Sequence, residues 1–318
     1  MGHGILENDT MFSVKERPWH ELGTVVEKAP TIAEAITLAG LDWEVEMQPI
    51  KAVTENSYEY PITTHKAVIK KTTKDILGVV GANYEPLQNK DAFSFFEPLV
   101  ENGLISLETA GSLFNGKRVW IMAKGNSKED VVANDTVESF ILLSNAHDGT
   151  MSVKVGFTPI RVVCNNTLTA AENGKFSKLI KVKHTQNIKE NLELVRDVMD
   201  TVNMQFIATI EQYRELAKRD ICESDLQKYV QQVFSVKKIE DIIKEYEEET
   251  EKSREKLTEK IGEYFEKEPA HKKWNMYNAV NSYLNHERGR TLESRYNSTW
   301  FGENKQIDRR ALELALRY

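Results

Sequence analysis

Near residue 187 the hydrophobic pattern changes period, and this change limits the folds open to the chain more than any other feature. Before it, apolar residues fall in short runs or alternate with polar ones, and Asn, Asp and Gly separate the runs. Half-buried strands joined by turns have this pattern. After it, Leu192, Val195, Val198, Met199, Val202, Phe206 and Ile210 recur at helical spacing, followed by Leu226, Tyr229, Val230 and Val233. Residues 239–268, dense in Glu and Lys, keep that spacing through Ile242, Ile243, Tyr246, Leu257, Ile261 and Phe265, as a long solvated helix does. Tyr277, Val280, Tyr283 and Leu284, then Ala311, Leu312, Leu314 and Ala315, carry it to the end. The expected class is α+β, with an N-terminal antiparallel sheet domain and flanking helices over 1–183 and a mainly helical region over 184–318.

The first part can be read element by element. Thr31 supplies a cap after Pro30, Ile32, Ala35, Ile36 and Ala39 share a face, and Gly40 closes a short helix. Trp43, Val45 and Met47 alternate with acidic residues, and Ala67–Ile69 and Leu77–Val80 give two more strands around a turn near Asp75. A second helix covers 89–102, with Phe93, Phe96, Leu99 and Val100 in register. Strands follow at Leu107–Leu113 and Arg118–Ala123, joined by a Phe114–Lys117 turn that contains an Asn-Gly pair.

The densest segment runs from Phe140 to Leu168. Phe140–Leu143 reads as a buried strand and Asn145-Ala-His-Asp-Gly149 as a turn. Met151, Val153, Val155 and Phe157 alternate as the returning strand, which Pro159 ends or bends, and Asn165, Asn166 or Thr167 caps a helix through Glu172.

These residues carry a resemblance. The chain is similar to the DUF932 family of phage and plasmid-like proteins of unknown function. The likeness lies in Arg17-Pro-Trp-His-Glu-Leu-Gly23, Ala39-Gly-Leu-Asp-Trp43, Gly78-Val-Val-Gly81 with Tyr84–Asn89, Glu108–Ser112, Asn145–Gly149 and Phe157–Leu168. It continues through Tyr277–Val280 with His286 and Arg288, and Trp300–Gly302 with Arg309–Leu312, so it spans nearly the whole length. It implies a phage or mobile-element setting and brings no catalytic residues with it. Over 31–101 the order helix, three antiparallel strands, helix also resembles the core of Rad52-like single-strand annealing proteins.

Several chemistries find little support. The two cysteines, Cys164 and Cys222, have no paired framework, which points to reduced thiols and a cytoplasmic setting. No apolar stretch reaches membrane-spanning length. Histidines 3, 20, 65, 147, 184, 271 and 286 lack the close pairs of a zinc site, and no phosphate-cradling glycine loop follows a strand, so neither a metal nor a cofactor is expected. His147 and Asp148 beside Cys164 have the types that a thiolate and its base need, but Cys164 follows an apolar run and reads instead as a small buried hydrophobe.

Net charge is −7, against indiscriminate polyanion binding yet compatible with a local basic groove. Lys66, Lys70, Lys71 and Lys74 cluster on one hairpin, and Lys175, Lys178, Lys181 and Lys183 form a stripe. Cations beside exposed rings are what single-stranded nucleic acid requires, and Tyr58, Tyr84 and Trp120 are the candidate rings. Arg161, in an apolar segment, needs a partner: Asp148 or Glu108 for a structural role, a phosphate for a functional one. The reading is a non-catalytic protein that binds single-stranded DNA, assembled as a homo-oligomer. Its alternative is a protein-binding factor in anti-defence or mobile-element maintenance, with a host protein as partner.

Overall fold

The computed structural model describes residues 10–14, 24–150, 154–161, 166–167, 192–234 and 247–317. Two short strands, β1 (Met11–Val14) and β2 (Thr24–Val26), precede helix α1 (Ile32–Leu38). Thr31 caps α1 in a reciprocal box with Glu34, which satisfies two otherwise orphaned backbone donors. A three-stranded sheet follows, β3 (Val45–Val53), β4 (Glu59–Lys70) and β5 (Ile76–Gly81), paired antiparallel in that order. The helix expected over 89–102 is present in pieces: α2 (Asn89–Phe93), a 3-10 turn, and α3 (Glu97–Glu101), which opens with Pro98 at a position where no N–H is needed.

Strands β6 (Ile105–Leu113), β7 (Arg118–Val132), β8 (Asp135–Ala146), β9 (Lys154–Arg161) and β10 (Asn166–Thr167) complete a seven-stranded sheet in the order β10-β9-β8-β7-β6-β1-β2. Its pairs are antiparallel except β1 with β2. The helical half consists of α4 (Leu192–Lys218), α5 (Glu223–Phe234), α6 (Glu247–Glu266), α7 (Lys273–His286), α8 (Leu292–Phe301) and α9 (Glu303–Arg317). None of the described helices is long and apolar enough to cross a membrane.

Alternation builds the core. Val119, Ile121 and Ala123 of β7 and Val137, Ile141 and Leu143 of β8 share one face and are almost fully buried. They join an apolar cluster with Phe93, Phe96 and Leu99 on one side and Val202, Phe206, Tyr229 and Tyr277 on the other. Phe157 meets Phe206 edge to face at 6.1 Å, so the core runs without a break from the sheet into the helical half. The opposite sheet face carries Met11, Leu113, Trp120 and Leu142 against Trp300 of α8.

Two local expectations change. Pro159 does not end β9, which pairs with β8 as far as Arg161; among the described residues β10 pairs only with Ile160 and Arg161, so no described strand flanks β9 at Pro159 and a missing N–H is spared there. Asn166 and Thr167 form β10, and Asn165 and the helix expected through Glu172 lie outside the described residues. The small sheet is also much longer than its apolar runs indicate, because β3 and β4 continue through Lys51–Ala52 and Tyr60–Pro61 into a projecting hairpin.

Candidate functional site

The signature turn after β8 is held by backbone and side-chain groups from the α1–β3 connection, the small sheet, the β5–α2 connection and the β6–β7 turn. Asn145 donates to the Leu87 carbonyl at 3.2 Å, and the Tyr84 hydroxyl donates to that of Ala146 at 3.2 Å. The His147 N–H donates to Lys117 O at 2.8 Å. Asp148 accepts from the Thr150 N–H and hydroxyl, and Arg118 Nη2 reaches the same hydroxyl at 3.2 Å. Gly78 sits so close that a Cβ there would lie 2.5 Å from the Asp148 Cα, so any side chain at this point of β5 would push the turn away.

His147 is fully buried, and its chemistry is set by Asn89. The Asn89 amide donates to the carbonyls of Leu41 and Trp43 at 3.1 and 3.4 Å, which leaves Oδ1 facing His147 Nε2 at 2.9 Å. Nε2 is therefore the protonated nitrogen, and Nδ1 carries a lone pair with no hydrogen-bond partner among the described residues. Burial drives the His147 pKa down to about 4, with Lys70 adding to the fall and Asp148 opposing it. The ring stays neutral near pH 7.

Trp43 joins the turn to the small sheet. Its ring lies 5.3 Å from that of His147 and under the Lys70 ammonium at 4.6 Å. Lys70 is 8% exposed and has no ion-pair partner among the described residues; the ring face offsets part of the cost of burying it. Gly116 makes room for both, since at φ +84° a Cβ would stand 2.8 Å from Lys70 Cε and 2.9 Å from Trp43.

The remaining anticipated residues are scattered. Lys66 is half-buried in β4, opposite Pro49 and Val80. Lys71 pairs with Glu44 at 2.8 Å, Lys74 with Glu46 at 2.9 Å and Lys51 with Glu59 at 2.6 Å, all at the surface. Lys175, Lys178, Lys181, Lys183, Cys164 and Asn165 lie outside the described residues. Asn166 is in β10, far along the sheet from the turn. Tyr58 is exposed, whereas Tyr84 is half-buried and Trp120 is 4% exposed beneath Trp300, 5.0 Å away, so Trp120 offers no stacking surface.

Arg161 departs furthest from a phosphate-binding role. Its Nε and Nη2 donate to both oxygens of Asp135 at 2.7 Å, and Nη1 and Nη2 donate to Glu268 at 2.7 and 2.9 Å. Burial opposes the charge, yet the two carboxylates outweigh it and raise the pKa further. Trp274 Nε1 donates to Asp135 and Asn275 to Glu268, completing the buried network. Neither Asp148 nor Glu108 is the partner, because the register sets Arg161 opposite Val137, at the other end of β8 from the turn.

Residue patterns in the sequence missed the outer face of the small sheet. Ile50 pairs with Ile62, Ala52 with Tyr60, Ala67 with Val79 and Ile69 with Ile76, and directly opposed residues share a face. Tyr60 is 58% exposed, Ile76 65% and Val79 54%. The one signal available was the alternation of Ile50, Ala52, Tyr60 and Ile62, interrupted by Glu, Thr and Pro.

A family model for a domain of unknown function, DUF932, matches residues 76–308. The chain belongs to the DUF932 family. The DUF932 match takes in the signature turn, the Arg161 network and helices α4–α8, and begins at the first residue of β5, so β3 and β4 lie outside it. No curated protein and no solved structure matches the chain. Among the described residues, no group of three or more His, Cys, Asp or Glu side chains is placed to hold a metal ion.

Proposed function

We propose that this DUF932 chain works without catalysis, by docking another protein onto the outer face of its three-stranded sheet. The setting is a phage or other mobile element, in defence evasion or maintenance. One observation carries the reading: of the eight large apolar side chains that stand exposed among the described residues, Val53, Tyr58, Tyr60, Ile76 and Val79 belong to this sheet and its hairpin loop. Tyr60, Ile76 and Val79 lie on its outer face, and apolar side chains left exposed on one sheet face support a contact site there. The surrounding charges support a protein over a polyanion, because Lys51, Lys71 and Lys74 are each matched by a neighbouring glutamate, and nucleic acid gains affinity from cations that it alone neutralises.

A second reading rests on Tyr58 and Tyr60, whose rings are exposed at the hairpin and could stack on bases. Here the chain would hold single-stranded DNA, as a ring or filament of copies. A single experiment separates the two. A labelled oligonucleotide is titrated at low and moderate salt, and partner capture is compared between wild type and the variants Ile76→Lys and Val79→Lys. Protein docking predicts a captured species that both variants lose, with no salt-dependent DNA binding. Tight DNA binding that falls steeply with salt, together with capture unaffected by both variants, overturns it in favour of the second reading.

A further inference from the structure

Each of the two sheets ends in two outer strands, β10 and β2 for the large one, β3 and β5 for the small one. An outer strand presents unpaired backbone groups that can template another chain unless it is short or blocked. β2 has three residues and β10 two. β3 is blocked by side chains: Gln88 Oε1 accepts from the Val45 N–H at 2.9 Å, and Gln88 Nε2 donates to the Val45 carbonyl at 3.0 Å. Pro49, four residues on and so directed to the same side, has no N–H to offer there.

β5 has neither device. The Lys70 N–H donates to the Asp75 carbonyl at 2.9 Å, so Lys70, Val68 and Lys66 of β4 direct their backbone groups at β5. Gly78 and Val80, opposite Val68 and Lys66, direct theirs back. Val79, between them, therefore turns its N–H and C=O away from β4, and neither has a hydrogen-bond partner among the described residues. The Gly81 carbonyl accepts from the Tyr84 N–H at 3.0 Å, which closes that end of the edge. The register shift between Val68 and Ile69 lies at the other end and leaves Gly78–Gly81 in regular pairing. No residue of β5 is charged and none is proline. Ile76 is 65% exposed and Val79 54%.

We propose that β5 pairs antiparallel with β5 of a second copy, joining two three-stranded sheets into one of six strands. The two-fold axis passes between the two Val79 residues, which exchange both N–H···O=C bonds. In this register Val79 faces Val79 and Gly78 faces Val80, so outer side chains meet outer and inner meet inner; a slip of one residue would set outer against inner. An uncharged strand meets its own copy without like charges opposed. Because each chain has one such edge among the described residues, the pairing closes at a dimer. It lies in the plane of the sheet and leaves the outer face open, now twice as wide, so the docking reading stands or falls separately.

Sedimentation equilibrium of the full chain, with hydrogen exchange followed over β5, tests this. Wild type should approach twice the chain mass as concentration rises, with the Val79 amide exchanging more slowly in step. Val79→Lys and Val79→Glu each oppose like charges across the two-fold and should weaken the dimer by about tenfold or more. An equimolar mixture of the two should restore it, which a folding defect would not. Val79→Thr, β-branched and uncharged, should keep it. Ile76→Lys, outside the paired stretch, should also keep it while partner capture at the outer face is lost, which separates the two readings. A chain that stays monomeric at millimolar concentration, a dimer with unchanged exchange at Val79, or no rescue in a mixture of folded variants overturns the proposal; if the charged variants fail to fold, the wild-type exchange decides.

Discussion

Strand β8 buries ten of its twelve residues, whereas β4, of equal length, buries only its last four. Both are interior strands, paired antiparallel with each neighbour. The difference lies in what covers them. β8 lies under α4 and is tied through Arg161 to the approach of α7, while β4 is joined to the described remainder at its root, where Trp43, Lys70 and the signature turn interlock. A strand pattern is thus necessary for either sheet, but a covering layer decides whether its apolar face becomes core or remains open for a partner.

The sharpest way to break this contrast is through the buried ion network. Arg161→Ala leaves Asp135 and Glu268 without their cation, at 6% and 10% side-chain exposure, and should cost about 3–5 kcal/mol in urea unfolding. A loss under about 1 kcal/mol would mean that water enters the network and that the large sheet is less closed than its burial indicates.

Truncation tests coverage directly. Phe206→Ala, at 1% exposure against Phe157, should cost about 3–5 kcal/mol, transfer and cavity together. Val79→Ala on the open face should stay within about 0.5 kcal/mol and weaken partner capture instead. Equal losses at the two sites would erase the distinction between core face and docking face.

His147 probes the root of the small sheet by pH. Its folded pKa, about 4, is below the ordinary 6.5. Its contribution is therefore present above about pH 6.5 and is lost as pH falls toward 4, because only the unfolded chain takes up the proton. The difference should approach about 3 kcal/mol near pH 4. Unfolding free energies for wild type and His147→Gln, measured from pH 7 to 4, should converge as pH falls; parallel curves would show that the ring titrates normally.

The smallest effect is expected at Lys71→Met, where an exposed pair with Glu44 is removed. Melting temperature should not move measurably at any salt concentration, as for most surface pairs. A clear salt-dependent drop would reveal the small sheet as held by its charges and not by its root.

Much of this architecture was legible in the residues. The Thr31 cap, the Asn-Gly turn at Asn115–Gly116, and the helical faces through Phe206, Tyr229 and Ile261 all occur where the pattern implies. Such features are local: a cap, a turn or a period depends on residues a few positions apart. The distal hairpin of the small sheet was not legible, because Glu, Thr and Pro interrupt an alternation that only cross-strand pairing reveals. The site was half legible. The Asn145–Gly149 turn stood out, yet its partners Trp43, Tyr84 and Asn89 come from 58 or more positions away.

Arg161 marks the boundary. Its sequence context alone determined that a guanidinium among apolar neighbours must be paired, since an isolated buried charge cannot be sustained. Only the tertiary structure decided that Asp135 and Glu268 pair it, because strand register and helix docking bring 26 and 107 positions of separation to hydrogen-bonding distance. Period, caps and turns are written in neighbouring residues; which face is covered, and which charge meets which, depends on contacts formed only when the whole chain closes.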